Sequence, residues 1–117
     1  MGTYSTYILD SVLQRKKEQR ELLRKDVLCK LFSILEELSH SISFDEVYIF
    51  GSITKEYSFS EGSDIDIAFL GLSDEDFFKA MSFISSRIGY DVDIVQLENH
   101  RLKTIIMSEG LQWKKNG

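Results

Sequence analysis

The chain has 117 residues, a formal net charge of −5, 43% hydrophobic residues and 28% charged ones. Those proportions fit one globular domain with its own core and exclude wholesale disorder. A single cysteine excludes an internal disulfide framework and a Cys-based zinc cluster, and no apolar run approaches the roughly 20 residues that a bilayer-crossing helix requires.

The first residues, Met1-Gly-Thr-Tyr-Ser, lack the basic-then-apolar pattern of a secretory leader, which makes the cytoplasm the expected compartment. A chain this short has no room for a catalytic domain plus a substrate domain. An enzyme of this size must borrow from a partner, a second copy or a bulky substrate.

Residues 8–40 read as helix, with Leu23, Val27, Leu31, Ile34 and Leu38 forming one apolar stripe that Leu28, Phe32 and Leu35 widen. Gln14 to Glu21 contains no apolar residue, so the helix either projects into solvent there or breaks in two. Leu9, Val12 and Leu13 beyond it form a detached patch or fold back on the core. Tyr4 and Tyr7 are candidates for modification, and Cys29 is expected to be a small core residue.

Residues 15–25 hold Arg15, Lys16, Lys17, Arg20, Arg24 and Lys25 against Glu18 and Glu21, a local excess of four positive charges that leaves the rest of the chain at −9. Such a run is commonly a solvated helix face, and alternatively a docking or anionic-ligand surface. The overall acidity argues against general nucleic-acid binding.

Glu46–Phe50 is β-branched and aromatic, a predicted strand, followed at once by Gly51-Ser52. Residues 53–63 read as a loop or a short helix plus loop. Ile65–Leu70 alternates as a second strand. Ser73 caps a helix with Asp74, Glu75 and Asp76 in its first turn, and Gly89 closes it. Val92–Leu97 is the third strand, and Asn99 is the expected cap of a last helix ending at Gly110. The order helix, strand, strand, helix, strand, helix defines an α/β or α+β class. With no proline to stiffen a linker, residues 1–117 read as a single domain, with 1–22 as an N-terminal helical extension.

Asp64 and Asp66, two apart in the second strand region, project to one face while Ile65 and Ile67 bury on the other. Asp91 and Asp93 interrupt the third strand in the same way, with Asp91 reading as a strand-start acid. Aspartate is depleted in strands and costly to bury unpaired. These acids either sit at strand ends in water or converge if the strands neighbour. Converging carboxylates repel and favour a hard divalent cation, Mg²⁺ or Mn²⁺. Gly51 lets backbone N–H groups approach a phosphate, and Ser52 adds a donor. His40 and His100 show no zinc-ligand spacing, and Trp113 reads as core or interface.

Phe50-Gly51-Ser52, ten residues, then Ser63-Asp64-Ile65-Asp66-Ile67, with the later Val92-Asp93-Ile94-Val95, resembles the signature of the DNA polymerase β-type nucleotidyltransferase superfamily. Small size, the N-terminal helix and the tail Glu109–Trp113 make it similar to the minimal nucleotidyltransferase (MNT) branch, over roughly residues 23–115. The resemblance implies a small mixed sheet flanked by helices. Gly51 and Ser52 would hold the triphosphate of ATP, with Ser63 adding a contact.

On the same resemblance Asp64, Asp66 and Asp93 would ligate two Mg²⁺ ions, and Asp93 would help deprotonate the nucleophile. Many relatives carry an arginine just after the Gly-Ser pair. This chain has Ile53-Thr54-Lys55, so Lys55 would supply a point charge instead. Proteins of this branch often accompany a HEPN-domain ribonuclease as the antitoxin of a toxin–antitoxin pair, moving AMP onto a toxin tyrosine. The alternatives are an antitoxin that acts by stoichiometric occlusion, and transfer to a small molecule.

Overall fold

A computed structural model describes residues 2–114, with side chains from residue 8 onward, so the side chains of Tyr4 and Tyr7 lie outside the described residues. Helix α1 spans Gly2–Leu38 without interruption. Its polar middle does not break it, because Gln, Arg, Lys and Glu are good helix formers and Gln14 Nε2 donates to Glu18 Oε1 at 3.3 Å. Only the C-terminal half meets the core, through Val27, Leu31, Ile34, Leu35 and Leu38. Each of these contributes about 1.5–3 kcal/mol by leaving water. The N-terminal half runs out into solvent and stretches the molecule to 63 × 28 × 24 Å, with Ile8, Leu9, Val12 and Leu13 exposed.

After α1 come β1 (Glu46–Phe50), a 3₁₀ turn (Ser52–Thr54), β2 (Ile65–Leu70), α2 (Asp74–Ile88), β3 (Val92–Gln96), α3 (Lys103–Glu109) and β4 (Leu111–Lys114). The four strands make one mixed sheet in the order β3-β2-β1-β4. β1 pairs antiparallel with β2 and β4, whereas β2 and β3 run parallel and are joined through α2. Ser73 caps α2 by accepting from the Asp76 amide, and Gly89 ends it in the left-handed conformation at φ 77°, as expected for these residues.

Alternation along the strands sorts their residues onto two faces. Val47, Ile49, Ile65, Ile67, Phe69, Ile94 and Trp113 join α1 and α2 in the main core. The opposite face is thinner: Tyr48, Ala68 and Leu97 meet Ile106 of α3, with Phe50, Leu70, Val95 and Met107 around them. Asp66 shares this second face with Ala68, two residues on.

Three local expectations are corrected. Asn99 does not cap α3; the cap position is Leu102, whose amide is taken by His100 Nδ1 at 3.0 Å. Cys29 is exposed, because it lies about 200° around the helix from Val27 and outside the apolar stripe. The tail after Gly110 is a strand, not simply a tail: Trp113 lies opposite Val47 in the register and rests on Phe44 at 5.6 Å between ring centres.

Candidate active site

Three strands bring the acids together. Phe50 at the end of β1 pairs with Asp66 of β2, and Asp66 pairs with Asp93 of β3. Asp64 immediately precedes β2, two residues from Asp66 and on its side of the chain. Asp66 is half-buried, whereas Asp64 and Asp93 are exposed. Burial pushes the Asp66 carboxyl above the ordinary aspartate range, and the negative charges of Asp93 and then Asp64 push it further. The two neighbours are therefore close enough to be felt electrostatically. Among the described residues no three acidic, His or Cys side chains close into a ready-made metal cage. The arrangement is a carboxylate cluster held apart by strand spacing, with the hard oxygen donors that suit Mg²⁺ or Mn²⁺.

Gly51 turns the chain out of β1 at φ 85°, ψ −159°, a region that is almost exclusively glycine's. A Cβ at this position would run into Asp66 Oδ2. The turn backbone is thus pressed directly against the central carboxylate, which no other residue type would allow. The turn is closed by Thr54, whose amide (3.1 Å) and hydroxyl (2.7 Å) both donate to Gly51 O, and by the Lys55 amide donating to Ser52 O at 3.1 Å. Ile53 anchors it from below as a fully buried side chain.

Of the residues singled out in the sequence, Gly51, Ser52, Asp64, Asp66 and Asp93 meet at one end of β1, β2 and β3. Lys55 stands exposed at the end of the turn. Ser63 is engaged locally, its Oγ accepting from the Ser60 amide at 3.0 Å. Asp91 is exposed just before β3, and its carbonyl accepts from the Ile65 amide at 2.9 Å.

Sequence reasoning missed Glu21 and Arg24 as partners of the turn. Both were counted in a solvated basic run, yet each side chain is only 13% exposed. Arg24 Nη1 donates to Ile53 O at 3.1 Å, and Glu21 Oε2 accepts from the Tyr57 amide at 3.1 Å. The available signal was their spacing from Leu23 and Val27, which puts Arg24 at the margin of the apolar stripe.

A groove of about 640 Å³ lies between the inner face of α1, at Lys16 and Arg20, and residues 60–62. A second cavity of about 620 Å³ opens at the opposite ends of β2 and β3, lined by Gly71, Asp74, Glu98 and His100 among others, and does not include the three carboxylates.

A small mixed sheet that sets a glycine–serine turn against paired aspartates defines a nucleotidyltransferase domain. Residues 30–112 match the family described as Polymerase beta, Nucleotidyltransferase, and the chain belongs to that family. No curated protein matches it significantly.

Among solved structures the chain is similar to a toxin–antitoxin structure with AMP-PNP (24% identity, TM-score 0.59, 73% of this chain and 74% of that one). It is also similar to the toxin–antitoxin MntA–HepT (25%, TM-score 0.50, 80% and 73%). A Sulfolobus solfataricus protein described as a nucleotidyltransferase is a third likeness (25%, TM-score 0.50, 85% and 87%). No helix among the described residues is long and apolar enough to cross a membrane.

Proposed function

We propose that this protein is the antitoxin of a toxin–antitoxin pair and moves AMP from ATP to a tyrosine hydroxyl of a HEPN ribonuclease toxin, which inactivates the toxin. The observation that carries this reading is the close approach of Gly51 to Asp66, a glycine–serine turn set against a carboxylate cluster. The likeness to toxin–antitoxin structures, one of them with AMP-PNP, supports the choice of partner and nucleotide.

In this reading Gly51 and Ser52 hold the triphosphate, with Ser63 and Lys55 adding contacts from the rim. Asp64, Asp66 and Asp93 hold two Mg²⁺ ions, for which their oxygen donors are suited and which Mn²⁺ could replace. When bound, the ions neutralise phosphate charge and lower the pKa of the attacking hydroxyl. The tyrosine oxygen bonds to the α-phosphorus as the bond to the bridging oxygen of pyrophosphate breaks. The hydroxyl proton passes to Asp93, one of the two exposed carboxylates of the cluster, and from there to water.

Asp64 and Asp93 are exposed, so the acceptor pocket comes from the partner, and the N-terminal extension read over residues 1–22 offers a surface for it through the exposed Ile8, Leu9 and Leu13.

Intact-mass spectrometry of the toxin, incubated with the protein, ATP and Mg²⁺, tests this. The toxin gains the mass of one or more AMP units, and the gain disappears with Asp64→Asn plus Asp66→Asn. No added mass across nucleotides and metals rejects the reading. If the double variant still protected cells, neutralisation would be by occlusion.

A further inference from the structure

Two side chains of α1 grip the segment that follows Gly51-Ser52 from behind. Arg24 Nη1 donates to Ile53 O at 3.1 Å, on the near side of Lys55. Glu21 Oε2 accepts from the Tyr57 amide at 3.1 Å, on the far side. The two grips are joined, because Arg24 Nε donates to Glu21 Oε1 at 2.6 Å and Nη2 pairs with the same oxygen at 2.5 Å. Tyr57 is the sole non-glycine among the described residues at positive φ, 64°, a backbone state that a bulky residue holds only when its surroundings impose it. Glu21 accepts the amide hydrogen of this residue. Both gripping residues lie ahead of residue 30, where the family match begins.

We propose that Glu21 and Arg24 are positioning residues that hold the residue 51–57 turn in the shape that receives the nucleotide's phosphates. This deepens the nucleotidyl-transfer reading and rests on it. Arg24 acts through the turn and not on the phosphate itself: all three guanidinium nitrogens are committed, two to Glu21 and one to Ile53 O. A charge-assisted fork of this kind fixes a loop more firmly than neutral contacts do. Neither Glu21 nor Arg24 belongs to the hydrophobic core, so their effect is expected at the polar part of the turn on either side of Lys55, ahead of the sheet itself.

The test compares the full chain with Glu21→Gln, Arg24→Gln and Arg24→Lys by amide hydrogen exchange, calorimetric titration with AMP-PNP and Mg²⁺, and thermal melting. Glu21→Gln and Arg24→Gln are expected to speed exchange at residues 52–58 and to weaken AMP-PNP binding, each by about tenfold. Arg24→Lys, which keeps the charge and loses the fork, falls between. The melting midpoint and the exchange of β1 and β2 stay near wild type. In turnover, KM for ATP rises by a larger factor than kcat falls.

Unchanged AMP-PNP affinity in both Gln variants overturns the proposal. So does a loss of affinity that appears only together with faster exchange throughout the sheet, which is the mark of a merely structural pair. Failure of wild type itself to bind AMP-PNP would reject the nucleotidyl-transfer reading, an outcome visible without any variant.

Discussion

Asp66 and Asp93 stand directly opposite each other in the parallel register of β2 and β3. Neighbouring strands lie about 4.8 Å apart, so two carboxylates on the same face meet across that gap. Like charges in such a position destabilise the sheet unless one is protonated or a cation lies between them.

The first consequence is a dependence on pH. The folded-state pKa of Asp66 lies above its unfolded value, so the folded protein binds that proton more tightly. Its contribution to stability is full below the unfolded value of about 3.9 and is lost as pH rises through the elevated folded value. Asp66→Asn is therefore expected to raise the melting midpoint at pH 7 by a few degrees, on the order of 1 kcal/mol of relieved repulsion. The gain should vanish toward pH 3, as melts by circular dichroism across pH would record.

Divalent cations should relieve the same repulsion. Saturating Mg²⁺ or Mn²⁺ at a hundred times its dissociation constant is expected to stabilise wild type by about 2.7 kcal/mol. Asp66→Asn combined with Asp93→Asn should lose that response. Chemical denaturation with and without the cation, and with Ca²⁺ as comparison, measures it.

Gly51→Ala meets two obstacles at once, a positive φ and the Asp66 carboxylate in the path of the new methyl group. A loss of about 1–3 kcal/mol is expected from the backbone alone, with nucleotidyl transfer abolished because the turn must move. Gly89→Ala has open space around its Cβ and pays only for the left-handed backbone. Denaturant unfolding of the two variants, beside an AMP-transfer assay, separates the costs.

Asp93→Asn keeps the side chain's size and removes the proposed base. A fall of about 10²–10⁴-fold in AMP transfer is expected. Activity within a factor of three of wild type would remove Asp93 from the proposed proton-transfer role.

Trp113→Ala should cost about 3–5 kcal/mol, because the ring is buried against Phe44 and holds β4 to the sheet. The protein has one tryptophan, so the comparison needs circular dichroism and not fluorescence.

Much of this was legible in the sequence. The 27–31–34–38 stripe, the Ser73 cap, the Gly89 stop and the strands bounded by Gly51 and Gly71 all depend on neighbours a few residues away. Aspartates in two apolar strands left open whether the acids sat at strand ends or converged, and the resemblance to nucleotidyltransferases singled out Asp64, Asp66 and Asp93.

Long-range partners were not legible. Strand β4 has four residues, of which only Trp113 is buried, and it becomes a strand through pairing with β1 more than sixty residues earlier. The bonds from Arg24 to Ile53 and from Glu21 to Tyr57 span 29 and 36 residues. The place of Arg24 at the margin of the apolar stripe hints that it meets the body of the protein, but an i,i+3 acid–base pair on a helix does not say which distant residues it meets. Cys29 was misjudged because cysteine's usual preference for the interior yielded to its angle around α1.

The position of β3 at the margin of the sheet has a separate consequence. A free strand margin invites another copy to zip onto it, the usual first step of edge-to-edge aggregation. Here such zipping would bring Asp91 and Asp93 of one copy alongside the acids of the next. Asp93, proposed for chemistry, would thereby also discourage edge pairing. Neutralising it for an activity assay carries a colloidal cost, so light scattering belongs beside every measurement on an aspartate variant of that strand.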